Sequence, residues 1–275
     1  MELRLRSRLS DSSNRPDLNI MLQKYSLDPQ WAPPPDCLKG RVILVTGAGQ
    51  GVGRATALAC AREGATVVLL GRTAPKLEAV YDEIVAINAP QPAIIALDLA
   101  KVDQEQLRGL AMSIKSSIGR LDGIVHGASH FASTMPAELI DLAAWDRAVR
   151  VHLTVPAALT QACFPLLKRS ESASVVFLTE THAQAPRAYW AGFATAKSAL
   201  AHLVAVWADE HAEAGPRFNL ILPGPIRSPM RQRSHPGENA AQWQTAEAVA
   251  RTIVHLLVAG SSRITGKLVG LDSAQ

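Results

Sequence analysis

The stretch Thr46-Gly47-Ala48-Gly49-Gln50-Gly51-Val52-Gly53 decides the fold that we predict for this chain. A short β-branched run over residues 42–46 leads into it, and residues 52–62 behind it have helical character. Glycines at such a strand-to-helix turn allow a tight bend and a close approach of the backbone to a pyrophosphate, which rests on the helix N-terminus. A glycine-rich turn without a ligand is the alternative, but the strand before it and the helix after it favour a dinucleotide site. The candidate cofactor-binding residues here are Thr46, Gly47, Gly51, Val52 and Gly53.

The remainder of the chain alternates strand-like and helix-like segments. Further strands are predicted at 66–70, 93–97, 123–126, 174–179, 218–222 and 268–271. Helices are predicted near 75–87, 103–117, 141–168, 189–213 and 245–258. Strands that alternate with helices imply a parallel sheet that is covered on both faces. We therefore expect one doubly wound, Rossmann-type α/β domain over residues 39–275.

Residues 1–38 differ from this pattern. The first thirteen residues are rich in Arg and Ser, and Pro33-Pro34-Pro35 closes the segment just before the first predicted strand. The segment lacks the apolar core of a secretory signal. We expect a poorly ordered extension or an arm that lies over the domain.

Composition excludes several classes of protein. No apolar run approaches the ~20 residues that span a bilayer, and a net charge of +4 from 28 basic and 24 acidic residues is too mild for a nucleic-acid-binding protein. The three cysteines are widely spaced, form no metal or disulfide pattern and favour a reducing compartment. We therefore expect a cytoplasmic protein with no metal site and no membrane or nucleic-acid partner.

The end of the second predicted strand indicates which nicotinamide cofactor is preferred. An NAD site usually places an acidic residue about 20 positions after the glycines, but here Gly71 and Arg72 occupy that place. A guanidinium binds a 2′-phosphate in bidentate fashion, which favours NADP, and Arg54 adds a second positive charge. The alternative is that both arginines are solvated surface charges. Asp98, after the third strand, either accepts a hydrogen bond from the adenine amino group or caps the helix that follows.

Phe193 and Lys197 are four residues apart in a predicted helix and therefore face the same cleft. A lysine at that place can hold a cofactor. A phenyl ring cannot donate a proton, so the usual source of the proton in a carbonyl reduction is missing.

With these residues placed, the chain resembles the short-chain dehydrogenase/reductase superfamily, and within it the YciK-like oxidoreductases, over roughly residues 37–275. The glycines match the family pattern T-G-x-x-x-G-x-G. The resemblance implies that Pro223-Gly224 and Ser228 contact the nicotinamide end of the cofactor and that Lys197 binds the nicotinamide ribose.

The resemblance also implies a catalytic set of tyrosine, lysine, serine and asparagine, in which the lysine lowers the pKa of the tyrosine. Only the lysine is kept in this chain. The four positions carry Phe193, Lys197, Glu180 and His152.

The replacements leave two interpretations open. Glu180 and Lys197 either form an ion pair in place of the lost network, or Glu180 with a raised pKa donates the proton. His152, His182 and Tyr189 are further candidate donors, and Tyr189 is predicted to lie one helical turn before the phenylalanine.

Two functions follow from these interpretations. The first is NADP-dependent hydride transfer on an unknown carbonyl or alcohol with an altered proton donor. The second is a catalytically inactive NADP(H)-binding homologue that acts as a sensor, partner subunit or scaffold.

Two further segments suggest partners. The predicted loop 225–240 carries Arg227, Arg231, Arg233 and His235, which either attract an acidic substrate, cover the cofactor phosphates, or form a solvated basic loop. The broadly apolar segment 196–208 and the helix 141–168 suggest the paired-helix interface of a homodimer or homotetramer.

Overall fold

The computed structural model describes residues 22–239, 241, 243–261 and 264–271. Eight parallel strands form one sheet in the order β1-β8-β7-β6-β5-β2-β3-β4. The strands are β1 Gln23–Ser26, β2 Val42–Thr46, β3 Thr66–Gly71, β4 Ala93–Ala96, β5 Gly123–His126, β6 Ser174–Leu178, β7 Arg217–Leu222 and β8 Lys267–Gly270. The predicted doubly wound α/β class is thereby confirmed.

Helices cover both faces of the sheet, as parallel strands require. They are α1 Gly51–Arg62, α2 Ala74–Ala86, α3 Gln104–Ser117, α4 Leu142–Val149, α5 Val155–Leu167, α6 Thr181–Gln184, α7 Ala191–Glu210, α8 Pro229–Ser234 and α9 Ala246–Leu257. The strands β2, β5 and β6 are buried at every position, and one apolar cluster lies on each face of the sheet.

The strand order indicates where the functional cleft lies. The chain runs outward from β2 to β4 on one side and from β5 to β8 on the other, so the order reverses between β2 and β5. Ligands of open α/β sheets bind at the carboxyl ends of the strands at such a reversal. The glycine motif follows β2 directly and therefore lies at this point.

The helix predicted over 141–168 is interrupted. Residues Arg150–Thr154 form a π-helical turn between α4 and α5, and the amide of Val155 donates to the carbonyl of Arg150. Pro156 has no amide hydrogen and cannot donate to the carbonyl four residues before it, which disfavours a continuous α-helix here. Such turns are frequent at functional sites, and His152 lies within this one.

The predicted N-terminal extension needs a correction. Residues 23–26 form the edge strand β1, which pairs in parallel register with β8. Tyr25 Oη lies 3.0 Å from His255 Nε2 on α9, and Trp31 packs edge-on against the same ring. This part of the segment belongs to the folded domain because it shields one sheet edge and part of α9. Residues 1–21 lie outside the described residues.

In the part of the chain that the structure describes, no helix is both long and apolar enough to cross a membrane.

Two histidines lie inside the domain near the carboxyl ends of the strands. His126 ends β5, with its Nε2 at 2.8 Å from the hydroxyl of Thr160 and its ring stacked on Phe177. Burial, with a further contribution from the charge of Lys197, lowers the pKa of His126 to about 3. The same two causes hold the pKa of His152 well below its usual value.

These neutral histidines predict acid destabilisation. The unfolded chain binds protons at these side chains below about pH 6.5, whereas folded His126 binds one only near pH 3. The free energy of unfolding should therefore fall by about 2 kcal/mol between pH 7 and pH 5 through His126 alone, and His152 should add to this fall. Urea unfolding at both pH values measures this change.

His126→Gln should reduce that fall by about 2 kcal/mol, whatever its effect on stability at pH 7. His202→Gln, at an exposed position on α7, is the matched control and should keep the full dependence. An unchanged slope in His126→Gln would contradict the assignment.

Candidate functional site

The turn after β2 is closed by two glycines that admit no side chain. Gly47 has φ +70°, and a Cβ there would lie 2.8 Å from the Cα of Ala128 after β5. A Cβ on Gly53 would lie 2.2 Å from the carbonyl oxygen of Gly47. The first turn of α1 therefore packs directly on the loop backbone. The result is the close strand-to-helix turn that a pyrophosphate site requires.

The N-terminus of α1 carries no side-chain cap. Gln50 stands at the N-cap position, but its side chain makes no capping hydrogen bond and accepts instead from Lys76 Nζ at 2.6 Å. Uncapped first-turn amides and the helix dipole favour an anion at this place. Lys76 adds a positive charge beside the turn and was missed by sequence analysis, although its place in the first turn after the second predicted strand was a usable signal.

The two arginines predicted to select NADP differ in their surroundings. Arg54 pairs with Glu83 in bidentate fashion, with Nε 3.1 Å from Oε1. Arg72, directly after β3, is exposed and has no hydrogen-bond or ion-pair partner among the described residues. Arg72 is therefore free to bind an incoming anion, whereas Arg54 already has a partner in the protein.

Asp98 does not cap the helix that follows it. Its Oδ1 accepts from the amide of Ala100 at 3.0 Å, within a turn. The cap of α3 is Asp103, which forms a capping box with Gln106. The capping alternative is therefore wrong, and the adenine contact of Asp98 stays a prediction.

The segment after β7 lies at the same edge of the sheet. Pro223 is buried, and Gly224 takes φ +67° as the chain turns away from the sheet. The hydroxyl of Ser228 accepts from the amide of Arg231 at 3.1 Å and caps α8. Ser228 thus has a structural role in fixing the loop above the cleft. Contact of this segment with a nicotinamide stays a prediction.

Lys197 is buried on α7 and is turned toward the sheet. Its Nζ donates to the carbonyl oxygen of Leu178, at the end of β6, at 2.6 Å. Burial lowers the pKa of Lys197 to about 8, although the charge of Glu180 opposes that shift. The ammonium is therefore easier to deprotonate than that of a surface lysine.

Glu180 lies close to Lys197 without forming the ion pair that sequence analysis considered. Within the described residues the lysine ammonium contacts the Leu178 carbonyl, and Glu180 Oε2 accepts from the amide of His182 at 2.9 Å. Glu180 Oε1 is buried and has no hydrogen-bond partner in the described part of the chain. Burial raises the pKa of Glu180, while the His182 amide and the charges of His182, Lys197 and Arg231 oppose the rise. This carboxyl group is consequently able to hold a proton within the cleft.

Phe193 is a packing residue in the structure. It belongs to an apolar cluster with Trp190 and Ala194, against which Phe131 and Met230 pack. Its ring meets those of His152 and Phe131 edge-on, at centroid distances of 4.9 and 5.5 Å. Aromatic contacts therefore occupy the place where the resemblance implies a hydroxyl.

His152 is fully enclosed and tied to the backbone. Its Nε2 lies 3.1 Å from the amide nitrogen of His130 and 2.8 Å from the carbonyl oxygen of the same residue. Its Nδ1 is buried and has no hydrogen-bond partner among the residues that the structure describes. Because its pKa is well below the usual value, His152 is neutral near pH 7 and a poor proton donor.

Tyr189 is not placed as predicted. Helix α7 begins at Ala191, so Tyr189 precedes it, with φ +75° and 60% of its surface exposed. It does not lie one helical turn before Phe193 on the same helix, because the chain bends at Tyr189 before the helix starts.

A pair of histidines joins the loop after β7 to the loop after β6. His182 Nε2 lies 3.3 Å from His235 Nε2, and both rings pack against Trp190. Sequence analysis named each histidine but had no signal that they meet, because 53 residues separate them.

Positive charge surrounds the cleft. Burial and then the charges of Arg147, Arg72 and Arg233 lower the pKa of His130, while the charge of Asp98 opposes the shift. Several arginines from separate elements therefore act on one point beside the glycine turn, which favours anionic ligands. The described residues contain no cluster of His, Cys, Asp and Glu suited to a metal ion.

Comparison with known proteins places these features in a family. The sequence model of the family described as short chain dehydrogenase matches residues 41–239. The uncharacterized oxidoreductase YciK of Escherichia coli K12 is 35% identical over 236 residues, which cover 86% of this chain and 93% of that protein.

Two solved structures of similar proteins contain the cofactor. A short chain dehydrogenase of Escherichia coli CFT073 complexed with NADPH superposes with a TM-score of 0.83 and 35% identity. One of Shigella flexneri complexed with NADP gives a TM-score of 0.83 and 34% identity. Each alignment covers 86% of this chain and 99% of the other.

The glycine contact predicts a sharp steric requirement. Gly53→Ala forces a Cβ onto the Gly47 carbonyl and should lower the free energy of unfolding by about 1–3 kcal/mol. Gly109→Ala is the control, because Gly109 is exposed on α3 with open space around it. That change should instead stabilise the protein by about 0.5–1 kcal/mol. Denaturant unfolding of both variants measures the difference, and an unaffected Gly53→Ala would refute the packing assignment.

Proposed function

Because the chain belongs to the short-chain dehydrogenase family, we propose that it is an NADP(H)-dependent oxidoreductase in which Glu180 replaces the tyrosine as proton donor. The observation that carries the cofactor assignment is the uncapped N-terminus of α1, packed on a glycine turn beside the unpartnered Arg72. NADP and NADPH in the two similar structures support the same assignment.

The residues at the cleft suit the parts of this cofactor. The glycine turn and the first amides of α1 would hold the pyrophosphate, and Arg72 would bind the 2′-phosphate. Lys197 would hold the nicotinamide ribose, with Pro223-Gly224 beside the nicotinamide, as the family resemblance implies. When bound, the nicotinamide exchanges a hydride with a carbonyl or alcohol carbon.

The chain itself must manage the proton in this reaction, because a reduced carbonyl oxygen needs one. Phe193 has no acidic hydrogen, His152 is neutral and bonded to the backbone, and Tyr189 lies outside the helix. Glu180 has an acidic side chain with a raised pKa and a buried oxygen without a partner. Lys197 and Arg231 would stabilise the carboxylate that remains after proton transfer.

A second candidate, a catalytically inactive NADP(H)-binding protein, is favoured by one specific observation. The phenylalanine at the family's tyrosine position is packed among aromatic rings, and Lys197 Nζ is engaged by the Leu178 carbonyl. In this alternative the aromatic packing has replaced the catalytic network, and cofactor binding would regulate a partner.

The expected homodimer or homotetramer also belongs to this proposal. Helix α7 buries Leu200, Ala201 and Val204 against the core, while Val206 stays 40% exposed on its other side. A second copy that packs on this helix and on α5 would cover that outer surface.

The cofactor assignment predicts a selective loss of NADPH affinity. Titration by tryptophan fluorescence should give a lower dissociation constant for NADPH than for NADH. Arg72→Gln should weaken NADPH binding about 10–100-fold, the range expected for a lost charge-assisted phosphate contact, and leave NADH binding unchanged.

Arg54→Gln is the matched control, because this arginine is already paired with Glu83. Its NADPH affinity should stay close to that of the parent. Equal losses of NADPH and NADH affinity in Arg72→Gln would rule out a 2′-phosphate contact.

The proton-donor assignment is tested by Glu180→Gln, which keeps the shape of the side chain and removes its acidity. NADPH oxidation is followed with a panel of aldehydes and ketones. Turnover of any accepted compound should fall at least about 100-fold, the usual contribution of a general acid, with NADPH affinity retained. Glu171→Gln, at an exposed position after α5, should behave as the parent.

The pH profile gives a second readout. Reduction requires protonated Glu180, so its rate should decline as pH rises through the raised pKa of this group. Tight NADPH binding with no turnover of the whole panel would instead favour the inactive homologue.

A further inference from the structure

A cavity of about 380 Å³ opens between the loop before α7 and the segment that follows α8. It is lined by Arg187, Tyr189 and Trp190 from one side and by His235 and Glu238 from the other. Its volume falls within the range of small-molecule sites. The glycine turn contributes no residue to the lining of this cavity.

The cavity has a flat aromatic wall. Trp190 is buried and packs against His182, His235 and Phe131, which fixes the orientation of its ring. Tyr189 is exposed, and its backbone is held by a hydrogen bond from the amide of Met135 at 2.9 Å. A rigid indole beside an exposed phenol suits a planar or apolar group.

The charge of the cavity is positive because its carboxylate is already neutralised. Arg231 holds Glu238 with two contacts, Nε to Oε2 at 2.7 Å and Nη2 to Oε1 at 2.5 Å. The indole nitrogen of Trp243 also donates to Glu238 Oε2, at 3.0 Å. Arg187 is exposed and has no hydrogen-bond or ion-pair partner among the described residues. The free guanidinium is therefore the uncompensated charge of this wall.

The pKa of His235 reflects the positive charges around the cavity. Burial lowers its pKa first, and the charges of Arg231, His182 and Arg187 lower it further, against the opposing carboxylate of Glu238. The field at the cavity is thus positive despite the acidic residue in its lining, as expected of a site for an anion.

The cavity adjoins the proposed proton donor. Trp190 lines the cavity, and its ring centroid lies 6.1 Å from that of Phe193. His235 lines it and meets His182, whose amide donates to Glu180. Two residues that line the cavity, Trp190 and His235, are therefore each one contact away from a residue beside the proposed proton donor.

We propose that this cavity binds the carboxylate end of the substrate through Arg187, so that the substrate is an oxo acid, or the matching hydroxy acid, with an aromatic or apolar body. This inference rests on the proposed function for the reaction and adds the substrate class. The body of the molecule packs on Trp190 and Tyr189, and its carbonyl is directed to Glu180. When bound, NADPH would supply the hydride for the carbonyl carbon and Glu180 the proton for its oxygen, so that the oxo acid would become the hydroxy acid and NADPH would become NADP⁺.

The test uses an unreactive pair of probes with the full chain. Isothermal titration calorimetry measures binding of 3-phenylpropionate and of 3-phenylpropionamide, which share a body and differ in charge. The carboxylate should bind at least about tenfold more tightly than the amide, because a charge-assisted pair is stronger than a neutral one. Arg187→Gln should remove this preference.

Arg169→Gln is the matched control. This arginine is exposed after α5, next to Ser170, whose hydroxyl contacts Asp122 at the amino-terminal edge of the sheet. Its variant should keep the full preference for the carboxylate. Equal binding of the two probes, binding of neither probe, or an unchanged preference in Arg187→Gln would each overturn the proposal.

The same samples separate this inference from the cofactor assignment. Because Arg187 lines this cavity and is not among the residues proposed to hold the cofactor, Arg187→Gln should bind NADPH as the parent does and unfold at the same temperature. Loss of NADPH binding in the parent, with the probe preference intact, would refute the cofactor proposal alone.

Discussion

The contact between Gly53 and the carbonyl oxygen of Gly47 is the constraint on which the rest of the structure depends. It brings the start of α1 onto the loop that leaves β2, and Gly47 in turn packs on the backbone of Ala128 after β5. These two close approaches bring the ends of the central strands and the positive end of a helix to one point. Neither contact tolerates a Cβ atom, so the geometry is set by backbone sterics and does not depend on side-chain choice.

A second constraint acts on the other side of the cleft. The π-helical turn presents His152 to Phe193, and the aromatic cluster around Trp190 fills the space between α7 and the loop after β7. Beside this packing, Lys197 is hydrogen-bonded to the end of β6, and one oxygen of Glu180 has no partner among the described residues. Aromatic contacts and one partly desolvated carboxyl group thus occupy the positions where the family resemblance implies hydroxyl groups.

Charged side chains from several elements also meet at the cleft. Arginines from α4, from the end of β3 and from α8 act together on His130, although they are remote from one another in the chain. Within the described residues the acidic partners are already engaged, Glu83 by Arg54 and Glu238 by Arg231. Arg72 and Arg187 have no hydrogen-bond or ion-pair partner among the described residues, and in the proposals above they bind the anionic parts of the cofactor and of the substrate.

The sequence by itself determined the fold class, because the alternation of buried β-branched runs with helical segments is local and leads to a parallel sheet. It located seven of the eight strands within one residue at each end. It also placed the glycine turn and the position of Lys197, since both follow from short-range spacing. It missed β1, because a four-residue edge strand with little burial carries almost no periodic signal.

Only the tertiary structure decided how the candidate residues are used. Glu180 and Lys197 do not pair, Asp98 does not cap a helix, Arg54 is held by Glu83, and Tyr189 precedes its helix. The meeting of His182 with His235 and the cavity beside Trp190 also depend on elements far apart in the chain. Hydrogen bonding, desolvation and side-chain direction are set by contacts between distant segments, and no pattern of neighbouring residues contains that information.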